Sequence, residues 1–339
     1  MESRTTEILA GLREAFCGTE WERAVRRAQE ENEWFTAGQV GHAVRALREE
    51  LLQPERIERW LNAYPKPEGW QPGRVGIVMA GNLPLVGFAD LAAAVGAGHR
   101  VAVKPASKDR ALMEYVVRRL QRSGCPVETT DALRSGEVDR VIATGSDTTR
   151  DYFARYFAGV PALLRGSRQS VAVLEGTETD EVWSGLAEDM LLYWGLGCRS
   201  VVRLFVPRGY DVQGLADRIA AESPLRSEEC PKYAACYRYA RAMAAMSGAP
   251  WVDGGSFVWR QLPMESGPTV PRIAEAFWSE YDSPDELSAW LMRWKRGLQC
   301  ACGAVPAGFP RRTAFGRTQR PGWSDYADGV DTMRFLLEG

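Results

Sequence analysis

Three times between Arg74 and Ser146 the chain runs a short, nearly unbroken set of β-branched and small apolar residues into a loop and then a helical pattern. The strand-like pieces read RVGIVMAG, HRVAVKPA and DRVIATGS. The helical pieces that follow them read NLPLVGFADLAAAVGAG, DRALMEYVVRRLQRSG and TTRDYFARYFAG. Strands without polar alternation have both faces covered, and strands alternating with helices at this length build a parallel sheet. Such sheets take their ligands in the loops beyond the carboxyl ends of the strands. This one pattern restricts the chain to an α/β fold and says where its chemistry should be sought.

A second α/β stretch begins near QSVAVLEG. It passes through a helical run into SVVRLFVP, a helix from Val212 to Ala221, and RIAEAFWSEYDSPDELSAWLMRWKRGLQCACGAV, whose end reads as strand, acidic turn, helix and strand. Ahead of both, the first 65 residues pattern as charged amphipathic helices, with Thr36 placed as an N-cap and Pro54 opening another helix. The proline-rich link YPKPEGWQPG closes that region. The expected division is a helical region plus a first α/β domain over 1–168, a second α/β domain over 169–305, and a tail over 306–339 that packs back on the body and carries a short helix.

Charge narrows the partners. The chain has 42 basic and 44 acidic residues, without the clustered positive excess that a nucleic-acid surface needs. Its longest apolar stretch is interrupted by Asn82, Pro84 and Asp90, so it does not read as a membrane span. The opening residues lack the pattern of a secretory signal, and a cytoplasmic location is expected. The seven cysteines, at 17, 125, 198, 230, 236, 300 and 302, are scattered, which argues against a disulfide framework. Cysteines 230, 236, 300 and 302 lack the tight C-x2-C pairs of common zinc sites, so no metal is assigned. With only His42 and His99 present, a Ser-His or Cys-His hydrolase is disfavoured.

The candidate site residues follow from the strand ends. Asn82 stands on the loop after the first strand, Lys104 at the end of the second, and Gly145 and Ser146 between a third strand and its helix. A helix N-terminus offers free N–H groups, so a phosphate can sit at Ser146. In DMLLYWGLGCRSVVRLF a cysteine, Cys198, occupies a glycine-flanked corner between a helical run and a strand. On the residues alone two readings stand for it: a small hydrophobe at a tight joint, or a nucleophile presented by the corner. No G-x-G-x-x-G dinucleotide fingerprint is present.

Taken in order, Asn82-Leu83-Pro84, Lys104-Pro105-Ala106-Ser107, Thr144-Gly145-Ser146 and Gly195-Leu196-Gly197-Cys198 resemble the motifs of the aldehyde dehydrogenase superfamily. With NEWFTAGQV, VMAGNLPLVGFAD, IATGSDTTRDYF, KYAACYRY and SDYADGVDTM, the chain is similar nearly from end to end to the compact bacterial acyl-CoA reductases related to the fatty-acyl reductase of bioluminescence. The resemblance implies an aldehyde dehydrogenase-like fold of two Rossmann-like α/β domains with a helical N-terminal region. It further implies that Cys198 is the thiol that becomes acylated and that Asn82 and the Cys198 N–H form an oxyanion hole. Lys104 and Ser107 would face a ribose, and Ser146 a pyrophosphate.

One departure from the hydrolytic members is informative. Their water-activating glutamate falls near Leu164 of this chain, within ALLRGSRQSVAV, and Glu175 and Glu178 read as solvated. Without a base for water an acyl-enzyme has no efficient route to a free acid, so reduction of an acyl thioester to the aldehyde is expected, with CoA as leaving group. Ser107 stands where NAD-preferring relatives carry a carboxylate, and Lys108 and Arg110 follow. That favours NADPH over NADH, the competing reading of the two cations being a wet first helical turn. An acyl-carrier protein is an alternative acyl donor. Lys232, Tyr233 and Tyr237 are placed near a CoA entrance, while Tyr193 and Trp194 read first as core. The short link between Tyr64 and Val75 leaves little room for the oligomerisation hairpin of larger relatives, so a monomer or weak homodimer is expected.

Overall fold

The computed structural model describes residues 2–224 and 229–338. The chain divides into two compact units, one made of Met1–Ser167 and Pro321–Gly339, the other of Arg168–Arg320. Unit one opens with four helices, α1 (Glu2–Ala15), α2 (Gly18–Glu31), α3 (Ala37–Ala46) and α4 (Pro54–Asn62). The Thr36 hydroxyl caps α3 by accepting from Gln39 N–H at 3.4 Å, and Pro54 opens α4, where its missing N–H costs nothing.

Alternation then begins: β1 (Arg74–Val78), α5 (Phe88–Ala97), β2 (Arg100–Lys104), α6 (Arg110–Arg122), β3 (Val127–Thr129), β4 (Arg140–Thr144), α7 (Asp147–Tyr156) and β5 (Ala162–Arg165). The strands form one sheet in the order β3-β2-β1-β4-β5, and every pairing is parallel. The order reverses between β1 and β4. Connections leaving a sheet in opposite directions open a crevice there, at the carboxyl ends of those two strands. β5 was not legible as a strand in the sequence. Its four residues lie at the sheet's edge, too short to show a period.

The tail returns to unit one through α12 (Thr332–Leu337). Trp323 stacks on Trp60 with ring centroids 3.8 Å apart, and its indole N–H donates to Leu51 C=O. His99, buried beside the tail, accepts from Gly73 N–H at 3.1 Å through Nδ1. Its Nε2 therefore carries the proton and donates to Leu336 C=O at 2.9 Å. Burial lowers its pKa, which suits this neutral tautomer. The motif SDYADGVDTM is used in the same packing: Tyr326 OH accepts from Trp60 Nε1–H, Tyr64 OH donates to Asp331, and Asp331 caps α12.

Unit two contains β6 (Gln169–Val173), α8 (Glu181–Leu191), β7 (Val201–Pro207), α9 (Val212–Ala221), α10 (Pro231–Met246), β8 (Trp251–Asp253), β9 (Val258–Gln261), β10 (Glu275–Tyr281), α11 (Pro284–Trp294), β11 (Leu298–Gly303) and β12 (Arg312–Thr313). The sheet order is β12-β11-β6-β7-β10-β9-β8, parallel except for the β8–β9 pair. Its central strands β6 and β7 are buried almost throughout, as their largely apolar sequence requires. One charged residue departs from that pattern. Arg203 of β7 is 1% exposed, donates to Ser279 Oγ and to the carbonyls of Pro263 and Ser266, and packs over the rings of both Phe205 and Trp290. Burial lowers its pKa to about 10. The backbone oxygens take the place of water around a cation that an apolar pattern would not place there.

Candidate active site

In unit one the predicted residues gather along one edge. Asn82 is exposed on the loop after β1, and Lys104 is half-buried as the last residue of β2. Ser107 and Lys108 are exposed in the turn that opens α6, and Gly145 and Ser146 join β4 to α7. All six sit at carboxyl ends of parallel strands, around the point where the strand order reverses.

The loops are packed closely enough to require glycine. A Cβ on Gly81 would stand 2.5 Å from the Ala106 Cβ, so the loop after β1 rests directly on the loop after β2. A Cβ on Gly145 would stand 2.8 Å from the Thr149 side chain. Ser146 is the N-cap of α7; its hydroxyl accepts from Thr149 N–H at 3.2 Å and lies 2.9 Å from Thr149 Oγ1. Asp147, in the first turn of the same helix, gives its carboxylate to Ser167 N–H at 3.1 Å and to Arg150 at 3.3 Å. Arg110 is engaged as well, with Asp131 at 2.5 Å and Glu114 at 3.3 Å, and the Asp131 contact raises its pKa. Of the two cations read after Ser107, Lys108 is the exposed one.

In unit two, Cys198 is exposed at the tip of a turn that runs from Gly197 to Ser200 and leads into β7. The turn is closed twice: Gly197 N–H donates to Ser200 Oγ at 3.2 Å, and Ser200 N–H donates to Gly197 C=O at 3.0 Å. Ser170 at the head of β6 donates its hydroxyl proton to Cys198 C=O at 3.0 Å. That proton being used, the Cys300 thiol 3.1 Å away is the donor to Ser170 Oγ. Thus the backbone on both sides of the thiol is fixed while the thiol itself reaches solvent.

The approach to the turn departs from the sequence reading, in which a helical run continues to Gly195. Helix α8 ends at Leu191, and Tyr193 (φ 55°), Trp194 (φ 60°) and Gly195 (φ 70°) are all left-handed. Two bulky residues in that region cost roughly 1–3 kcal/mol each and persist only where surroundings over-determine them. Here both are buried, and Trp194 packs on the buried Tyr233 of α10 with centroids 5.0 Å apart.

Asp189, two residues before the end of α8, is fully buried. Its carboxylate accepts from Gly316 N–H at 2.7 Å, Thr318 N–H at 3.0 Å and Thr318 Oγ1–H at 2.7 Å. Gln319 then donates to Asp189 C=O at 3.3 Å and to Ser200 Oγ at 3.2 Å, so segment 316–319 ties α8 to the cysteine turn. Burial raises the Asp189 pKa to about 6, with the hydrogen bonds from Thr318 and Gly316 opposing it. The Cys302 thiol adjoins Asp189; burial first, and then the Asp189 charge, push it well above its ordinary value. Neither Asp189, Ser170 nor Gln319 was marked by the sequence, since none belongs to a motif and each acts through backbone groups distant in the chain.

Other candidates fall as follows. Leu164 lies in β5, packed among apolar side chains. Glu175 is exposed, and Glu178 closes its own turn by accepting from Glu175 N–H and Gly176 N–H. Tyr237 OH donates to Asp253 at 2.6 Å, Tyr233 is core, and Lys232 is exposed. Among the described residues no group of three His, Cys, Asp or Glu side chains is arranged to hold a metal, and no helix is long and apolar enough to cross a membrane.

No protein-family model matches the chain, and no curated protein does. Solved structures do. The chain is similar to an aldehyde dehydrogenase of Bacillus cereus, with a TM-score of 0.65 and 15% identity over 92% of this chain and 74% of that one. It is similar to an NAD-dependent aldehyde dehydrogenase of Sinorhizobium meliloti, with a TM-score of 0.63 and 16% identity over 89% of this chain and 69% of that one. An NAD-dependent benzaldehyde dehydrogenase of Corynebacterium glutamicum gives a TM-score of 0.63 and 15% identity over 90% and 76% of the two chains. The chain has the aldehyde dehydrogenase fold, as its motifs implied.

Proposed function

We propose that this chain reduces an acyl thioester, acyl-CoA foremost, to the aldehyde through a covalent intermediate on Cys198. The observation that carries the reading is the corner itself: an exposed thiol on a doubly closed turn, at the head of a buried strand, in a fold whose solved examples are aldehyde dehydrogenases. A cysteine serving only as packing would be buried, as Cys230, Cys300 and Cys302 are.

In this reading the Cys198 thiolate attacks the thioester carbonyl carbon, and its oxygen takes the negative charge. The resemblance assigns stabilisation of that oxygen to the Cys198 N–H and the Asn82 amide; such donors act on charge that develops only in the transition state. CoA leaves as its thiolate and takes up a proton, and Cys198 is left acylated. A bound reduced nicotinamide would supply the hydride that converts the enzyme thioester to a thiohemiacetal. Collapse of that adduct breaks the carbon–sulfur bond, releases aldehyde and restores the Cys198 thiolate. The position of the water-activating base falls near Leu164, in an apolar strand, which disfavours hydrolysis in this reading.

Unit one would hold the dinucleotide along its carboxyl edge, with Lys104 and Ser107 toward a ribose and Gly145 and Ser146 at the pyrophosphate. The donor set suits an anionic ligand: two ammonium groups, two hydroxyls and a helix N-terminus whose own acidic residue, Asp147, is already bound elsewhere. Exposed Ser107 and Lys108, with no carboxylate between them, favour NADPH over NADH. An acyl-carrier protein is the other acyl donor the chemistry admits, and a cytoplasmic monomer or weak homodimer fits the short link between α4 and β1.

Intact-mass spectrometry after mixing the protein with a series of acyl-CoAs, without nicotinamide, tests this. An adduct of acyl mass on the wild type and none on Cys198→Ala is the expected result, and NADPH should then discharge it as aldehyde. Nucleotide binding with no adduct from any CoA or carrier-protein donor would replace this reading with that of a non-catalytic nucleotide-binding subunit.

A further inference from the structure

Beneath the loop that carries Asn82 lies a carboxyl group that no motif announces. Asp109 ends the short turn Ser107–Asp109 and stands immediately before α6. It is 1% exposed. Its Oδ2 accepts from Leu85 N–H at 2.9 Å, and its Oδ1 has no hydrogen-bond partner. An unpaired buried polar atom is costly, so the position needs an explanation beyond stability. No cation offsets the burial either. The interactions acting on the group are desolvation, which raises its pKa well above the ordinary value, and the Leu85 N–H, which opposes this.

What Asp109 holds is strained. Leu85 has φ 59° and is buried, a left-handed conformation that a branched residue adopts only when fixed from outside. Four residues earlier, Gly81 rests against the same turn: a Cβ there would meet the Ala106 Cβ at 2.5 Å and the Asp109 backbone N at 3.3 Å. The segment bearing Asn82 is therefore pinned at both ends to one turn, by backbone contact at Gly81 and by the Asp109 carboxyl at Leu85. Only the second pin is a side chain that can be exchanged without rebuilding the loop.

We propose that Asp109 is a positioning residue for Asn82: through Leu85 N–H it holds the Gly81–Leu85 loop in the conformation that presents the Asn82 amide. This rests on the reading of Asn82 as an oxyanion donor. Asp109 touches neither substrate nor cofactor in this role.

Three exchanges separate it from a plain structural residue. Asp109→Asn keeps shape and an acceptor for Leu85 N–H, whereas Asp109→Leu keeps volume and removes the acceptor; Asp109→Ala repeats the removal at smaller volume. The readouts are single-turnover acylation of Cys198 by acyl-CoA, alkylation of Cys198 by iodoacetamide, and NADPH affinity. Asp109→Leu and Asp109→Ala should slow acylation by about 10- to 100-fold, up to the lower end of the range for complete loss of one oxyanion donor, with alkylation and NADPH affinity unchanged. Asp109→Asn should acylate within about threefold of wild type, and Asp109→Leu should add little to Asn82→Ala, since both disable one donor. Wild-type acylation rates in folded Asp109→Leu or Asp109→Ala would overturn the proposal. So would a loss fully multiplicative with that of Asn82→Ala, or equal losses of acylation, alkylation and NADPH binding. Failure of the underlying reading looks different, because it appears in the wild type as absence of any acyl adduct.

Discussion

The two units each place a buried aspartate beside a loop that bears a candidate site residue, and they treat it differently. Asp109 in unit one meets one backbone N–H and leaves an oxygen unpaired. Asp189 in unit two meets two backbone N–H groups and the Thr318 hydroxyl, and adjoins the Cys302 thiol. Burial raises the pKa of both. The denser donor shell limits the rise at Asp189 to about 6, because each hydrogen bond favours the charged form. At neutral pH Asp189 therefore works as a carboxylate gathering backbone donors, while burial against a single N–H donor makes ionisation of Asp109 harder than that of an exposed carboxyl. The difference matches what each must hold. The Cys198 corner includes consecutive left-handed aromatic residues and is tied by several bonds, whereas in the Asn82 loop the left-handed Leu85 is held through its N–H by Asp109.

The largest test of the contrast lies in the chemistry. Cys198→Ala should lower turnover at least about 10³-fold and abolish the acyl adduct, since it removes the thiol that the proposed mechanism acylates. Asn82→Ala should cost about 100-fold in kcat with little change in nucleotide affinity, as expected for a donor used in the transition state. Stopped-flow acylation and hydride transfer, measured on both variants, would read the two units separately. Equal and small effects would remove the distinction between nucleophile and oxyanion support.

Stability against pH gives the next, subtler comparison. For Asp189 the folded value of about 6 lies above the ordinary 3.8, so the folded state binds the proton more tightly. Its contribution is thus most favourable at low pH and is lost as pH rises from about 4 to 6, by roughly 3 kcal/mol at ~1.4 kcal/mol per pH unit. Asp189→Asn should remove that slope from urea-denaturation curves. The Asp109 slope has the same sign, because burial raises its folded value too and the Leu85 N–H does not offset it. A slope of opposite sign removed by either Asp189→Asn or Asp109→Asn would contradict burial as the dominant influence on these two carboxyls.

These two aspartates also mark what the sequence could and could not disclose. The alternating strands and helices were readable because β1, β2, β4, β6 and β7 are buried and so carry continuous apolar runs. Caps at Thr36 and Ser146 were readable because they act within three residues of themselves. The brace at Asp189 was not, since it joins residues 127 to 130 positions apart. The end of α8 was misread for a related reason. Leu192, Tyr193 and Trp194 continue an apolar helical pattern, and only packing, including that of Trp194 on Tyr233, turns the backbone left-handed. Arg203 shows the same limit in reverse, a charge accepted into a strand because distant carbonyls surround it.

The smallest expected effect concerns nucleotide choice, and it asks whether unit one sets it alone. Arg110 is committed to Asp131 and Glu114, which leaves exposed Lys108 as the cation beside Ser107 that can meet a 2′-phosphate. An exposed charge contributes modestly, since water and salt screen it. Lys108→Glu should therefore shift the NADPH:NADH ratio of kcat/KM by about tenfold toward NADH, equivalent to ~1.4 kcal/mol. The shift should shrink at high ionic strength. Acylation of Cys198 without nucleotide should stay at the wild-type rate, because the variant alters only the carboxyl edge of the first sheet. A preference untouched by Lys108→Glu would assign the choice to Lys104 instead, the half-buried ammonium at the end of β2. A simultaneous loss of acylation would mean that the Ser107–Asp109 turn transmits changes at its surface to the Asn82 loop it supports.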